Sequence, residues 1–211
     1  MAYIGNKPAN KAVVASDLDP AVITGQTALA VAPADTDEFL ISDAGVLKRL
    51  DASLVGSPGI TEIDQWRLSA GLTGDQDPIA TNLERVDTDG FSHLGSGMSQ
   101  SSGIFTFPST GYWDISAHFR FSSGATDNQK TGHIVTTTDN SSYSDAASCV
   151  ANFYASGALG STSTKFIFDC TNTTTHKVRF RVGTTGGSGN SVDGNTDANF
   201  TVFTFIKLAN T

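Results

Sequence analysis

The sequence predicts an all-β chain: a jelly-roll β-sandwich, homotrimeric, preceded by an extended N-terminal arm with a β-hairpin. Three observations lead there. From Ile60 onward, short apolar runs with a period of two recur between clusters of Gly, Ser, Thr, Asn and Asp. The helix formers Glu, Lys, Gln and Leu are sparse over the same stretch, while Phe occurs 13 times in the whole chain. The hydrophobic fraction of 38% is enough for a packed core, which separates the chain from a disordered one.

The organising stretch is GIFTFPSTGYWDISAHFRFSS, Gly103 to Ser123. In its second run Trp113, Ile115, Ala117, Phe119 and Phe121 point one way, and Asp114, Ser116, His118, Arg120 and Ser122 the other. Pro108 ends the first run because it has no N–H for a ladder. Gly111 stands where the chain must reverse, at a position suited to positive φ. The two runs read as a hairpin at the centre of the sandwich.

Taken in order, residues 1–25 have no clear period and read as an extended arm that orders against a partner. Tyr3, Ile4, Val13 and Val14 are its anchoring side chains. Residues 26–57 form a hairpin module and linker, with strands at Glu38–Ser42 and Val46–Leu50 around Asp43-Ala44-Gly45. Gly56-Ser57-Pro58-Gly59 is the strongest break, so residues 58–211 form the larger domain. Within it, Asp64–Leu68 opens the sandwich, Asn82–Val86 is a short strand, and Phe91–Leu94 is a further strand candidate. Strands follow at Thr131–Thr138, Ala146–Tyr154, Thr164–Thr171 and Lys177–Val182. The candidate core is Trp113, Ile115, Phe119, Phe121, Phe166, Phe168, Val178 and Phe180.

The last run, Asn199–Leu208, is apolar on both faces. Phe200, Val202, Ile206 and Leu208 line one side and Phe203 and Phe205 the other. One side can enter the sandwich. The side with Phe203 and Phe205 is expected at a subunit interface, where burying two Phe would contribute about 3–6 kcal/mol. The alternative is a strand between two sheets of one chain.

Net charge is −8 with a pI near 4.7 and no basic groove, so no nucleic-acid partner is expected. No run is long enough to cross a bilayer as a helix, and MAYIGNKPANKAVV shows no secretion signal. No catalytic residue is assigned. There is no Gly-x-Ser-x-Gly elbow, and the Gly-rich run Thr184–Asn190 joins two strands instead of opening a helix. His93, His118, His133 and His176 lack metal-ligand spacing. Asp75 and Asp77, Asp87 and Asp89, and Asp193–Asp197 sit in turn-like loops. Turn chemistry is the favoured reading there and no cofactor is expected, with a calcium ion the alternative. Cys149 and Cys170 read as free thiols within strands.

Two resemblances add to this. The opening MAYIGNKPA and the run APADTDEFLISDAGVLKRLDASLV resemble segments of tail-fibre-like proteins of tailed bacteriophages. That resemblance implies a non-enzymatic virion protein, held to other virion proteins by its arm. It would be a short tail fibre or receptor-binding protein that recognises a host-surface receptor or glycan. A capsid decoration or head-fibre protein is the alternative, and a glycan-degrading spike enzyme a more distant one. The run Gly103, Phe105, Phe107, Pro108, Gly111, Tyr112, followed by an aromatic C-terminal strand, is similar to jelly rolls of the complement-head and tumour-necrosis-factor type. Members of that group are compact trimers, which implies a homotrimer here.

Overall fold

The structure, a computed structural model, describes residues 25, 27, 33–34, 36–55, 59–126, 128–184 and 189–211. Nearly all of the predicted arm, with Tyr3, Ile4, Val13 and Val14, lies outside the described residues. The chain divides into two compact units, Met1–Ser57 and Pro58–Thr211.

In the first unit, β1 (Glu38–Asp43) pairs antiparallel with β2 (Val46–Asp51). The two connecting residues have positive φ, 51° at Ala44 and 83° at Gly45, the twist a two-residue hairpin needs. A single 3-10 turn, Ala52–Leu54, follows.

In the second unit the strands are β3 (Ile63–Leu68), β4 (Ala70–Thr73), β5 (Leu83–Arg85), β6 (Ser99–Ser101), β7 (Ile104–Thr106), β8 (Gly111–Ser122), β9 (Asn128–Thr137), β10 (Ser144–Phe153), β11 (Leu159–Cys170), β12 (Lys177–Thr184), β13 (Ser191–Asn195) and β14 (Val202–Ala209). Among the described residues there is no α-helix. One sheet has five strands in the order β10-β9-β12-β7-β6. The other has seven and is built on β8. Along one edge β8 pairs with β11 over its whole length. Along the other it pairs first with β14 and then, past a gap, with β13. Thr201, fully buried, fills that gap: its Oγ1 accepts the Arg120 N–H at 3.1 Å. Every ladder is antiparallel, and many neighbours are distant in sequence, as a jelly roll requires.

The expected central hairpin does not form. β7 pairs with β6 and β12 in the five-stranded sheet, and β8 lies in the other. Phe107-Pro108-Ser109-Thr110 is therefore a corner between sheets. Pro108 cannot donate to a ladder, so the chain leaves one sheet there and enters the other. Gly111 opens β8 at φ 142°, where a Cβ would lie 2.4 Å from the Ala209 carbonyl oxygen. Phe91–Leu94 contributes only an isolated bridge, Leu94 to Ile63. Conversely, the stretch from Asp193 that reads as a turn is partly β13, with an irregularity between Val192 and Asn195 where it pairs β4.

The core follows from the alternation. Trp113, Ile115, Ala117, Phe119 and Phe121 of β8 are each at most 1% exposed, facing Val178, Phe180 and Val182 of β12. Phe168 is buried, and Phe166 is half-buried against the same cluster. Phe105 is a hub, with ring centroids 5.6 Å from Trp66, 5.5 Å from Phe180 and 5.2 Å from Phe205. Gly132 on β9 leaves room for Phe119, whose ring carbon would lie 2.3 Å from a Cβ built there.

Candidate functional site

Phe203 and Phe205 are not on an outer face. Both are fully buried within the lone subunit, and Phe203 stacks on Phe180 with ring centroids 3.7 Å apart. Register decides this. Phe203 lies opposite Ala117 and Phe205 opposite Ile115, and both of those point into the sandwich. Residues directly opposite share a face, so the interface role expected for these two rings is corrected to a core role.

The same register turns Val202, Thr204 and Ile206 outward. Across the seven-stranded sheet, Ile167, Asp114, Ile206 and Ile63 form one row. Lys165, Ser116, Thr204 and Gln65 form the next, and Ser163, His118, Val202 and Arg67 the third. Gln65 Nε2 donates to Thr204 Oγ1 at 3.1 Å, and His118 Nδ1 lies 2.8 Å from Ser163 Oγ. Around these rows Tyr112, Ile167 and Leu208 are exposed. Asp114 Oδ1 and the Asp169 Oδ1 one row away are buried without a hydrogen-bond partner, and the nearest cation to Asp114, Lys165 Nζ, stands 3.4 Å from the other oxygen. A face that mixes exposed apolar side chains with two unsatisfied carboxylate oxygens can close against another protein surface that brings donors.

The outer side of the five-stranded sheet differs in chemistry. Arg181 pairs with Asp145 and Arg179 with Asp77 at 3.0 Å, and the Arg179 guanidinium lies 4.3 Å from the Tyr143 ring centroid. Burial and the neighbouring Arg181 push His133 below its usual range, against the opposing pull of Asp145. Its Nδ1 lies 3.1 Å from Arg181 Nη2 and 3.2 Å from Asp145 Oδ2. Inside the sandwich, Lys130 is fully buried with its Nζ unpartnered and 5.8 Å from the Phe153 ring centroid. Burial pushes this ammonium below its usual range, opposed by Asp193 and Asp75. At the opposite edge Asp64, only 2% exposed, accepts from Arg85 Nε at 3.0 Å, Trp66 Nε1 at 3.0 Å and the Met98 N–H at 2.7 Å. That cluster is a satisfied brace and tethers the segment before β6.

The four histidines stand apart. His118 and His133 point outward on different sheets, and His176 hydrogen-bonds to Thr171 and Thr175. Among the described residues no group of three or more His, Cys, Asp or Glu could hold a metal. Asp139 makes a tight turn, its carboxylate accepting the N–H groups of Ser141 and Ser142 at 2.8 and 2.7 Å; these bonds hold it well below the usual carboxylate range. Cys149 and Cys170 are free thiols, and burial raises both above the usual range.

Two features escape a reading of the sequence. One is the pair of unsatisfied aspartates, because burial of a carboxylate has no sequence signal. The other is that Thr196 Oγ1 donates to Glu84 of β5 at 3.1 Å, and the Asp87–Gly90 turn lines a cleft with Ala198 and Asn199. Only the pairing of β3 with β5 and β14 brings those segments together.

No family model matches the chain, and no curated protein matches it. The architecture itself has solved counterparts. The structure of Eiger TNF from S. frugiperda aligns over 72% of this chain and 95% of that one, with a TM-score of 0.55 at 10% identity. The crystal structure of murine APRIL at pH 5.0 aligns over 70% of this chain and 98% of that one, with a TM-score of 0.51 at 10% identity. The fold is a tumour-necrosis-factor-type jelly roll. At such identities the likeness concerns the fold alone.

Proposed function

We propose that this chain is a structural component of a tailed-phage particle. In this reading residues 1–25 anchor it to other virion proteins, and residues 58–211 form a homotrimeric head that projects outward for host attachment. The observation that carries the reading is the outer face of the seven-stranded sheet. It exposes Tyr112, Ile167 and Leu208 and holds the unsatisfied oxygens of Asp114 and Asp169. Self-association covers such a face and supplies the missing donors. The jelly roll resembles a group of compact trimers, and the opening MAYIGNKPA resembles tail-fibre-like proteins. The arm is the part expected to be held by the virion, and no enzymatic role is assigned.

Sedimentation of the purified chain at micromolar concentration tests the assembly, with a trimer expected; a well-folded lone subunit overturns it. Electron cryo-microscopy of the particle tests the placement. A handful of trimers at the tail fits a fibre or receptor-binding protein, whereas dozens to hundreds on the shell fit the decoration reading. Absence from the particle overturns both.

A further inference from the structure

We propose that the cleft between the Asp87–Gly90 turn and the segment leading into β14 binds a neutral saccharide. It has a volume of about 300 Å³, at the small end of ligand pockets and enough for a short sugar. Its floor is Arg67, whose guanidinium is 1% exposed. Nε donates to Glu84 at 2.7 Å, Nη1 to Thr88 Oγ1 at 2.9 Å and Nη2 to Asp87 at 3.1 Å. At 1% exposure it offers no hydrogen to a ligand and acts as a brace: its three bonds hold the Asp87–Gly90 turn and β5 in place before any ligand arrives, which lowers the ordering cost of binding.

The walls match a sugar on two counts. Asp89 and Asn199 stand exposed at the mouth, one an acceptor and the other both donor and acceptor, the pair of functions that vicinal hydroxyls need. Phe91 lines the cleft half-buried and outside the core aromatic cluster, offering a ring to the C–H face of a pyranose. Charge selects within the class. Glu84 and Asp87 offset the single Arg67 and Asp89 adds a further negative charge, so the rim disfavours sulfated, phosphorylated or sialylated ligands.

This inference deepens the attachment reading by naming what the head would hold, yet its failure can be told apart. The experiment uses the full chain and saturation-transfer NMR with glucose, galactose, mannose and N-acetylglucosamine, each also as its β1,4- or α1,4-linked dimer. Sialyllactose, a heparin disaccharide and calcium chloride serve as contrasting probes. At least one neutral sugar is expected to bind with millimolar affinity, and D89N, N199A and F91A each to weaken it about tenfold or more. D89N and N199A lie on exposed positions and should leave the far-UV spectrum unchanged, so a folding defect in F91A does not blunt the test. The proposal is overturned if no neutral sugar in the panel binds, if an anionic sugar or calcium binds better, or if the three variants bind like the wild type. A trimer that sediments normally but ignores every sugar sinks this inference alone and leaves the assembly standing.

Discussion

Replacing Phe203 by Ala decides which face of β14 holds the subunit together. The ring is fully buried, stacks on Phe180 at 3.7 Å, and meets Phe119 and Phe105 edge-on at 5.8 and 6.5 Å. Truncating such a side chain costs about 3–5 kcal/mol, through lost transfer energy and the cavity left between the sheets. For a domain of this size each kcal/mol lowers the melting temperature by about 2–4 °C, so a fall of about 6–20 °C is expected. Melting should be followed by near-UV circular dichroism at two protein concentrations, because association makes the midpoint concentration-dependent. Val202→Ser, one residue away on the outer face, is the control. It should move the midpoint of the isolated subunit far less while weakening self-association. If Phe203→Ala melted within about 2 °C of the wild type yet failed to associate, Phe203 would lie between subunits and the register argument would be wrong.

Ile206→Asp places a charge on the outer face beside Asp114, and sedimentation should show dissociated subunits with an unchanged far-UV spectrum. Gly132→Ala drives a methyl group into the Phe119 ring, and chemical denaturation should show a loss of about 1–3 kcal/mol. Folding holds His133 below the usual 6.5, so the unfolded chain binds the proton more readily. Stability contributed by the neutral ring is therefore complete above pH 6.5 and lost as pH falls below that value through the lower pKa of the folded chain, and His133→Gln should flatten this part of the stability-against-pH curve. The opposite charge type gives the same sign lower down. Asp139 is held well below its usual 3.8, so protection of the Ser141 and Ser142 amides from hydrogen exchange should persist below pH 3.8 and fade only at much lower pH.

Much of the fold was legible because strand alternation is a local signal. Trp113 to Phe121 and Val178 to Val182 each declare one buried face within a few residues, and both do face the core. Three readings went astray where the answer depended on a neighbour absent from the local sequence. The Phe107–Thr110 corner looks like a hairpin turn until the partners of β7 and β8 are known. The Asp193 stretch looks like a turn because its residues favour turns, and only pairing with β4 and β8 makes it a strand. β14 is apolar on both faces, so periodicity could not choose between Phe203 and Val202.

The amino-acid order alone determined an antiparallel, phenylalanine-rich sandwich with its break near Pro58, since polar-apolar alternation and turn residues act over a few positions. Which side of β14 looks outward, which carboxylates lose their water, and which loops meet over Arg67 were decided only by the assembled sheets. Those outcomes depend on register between strands far apart in the chain, and a shift of one residue would reverse every one of them.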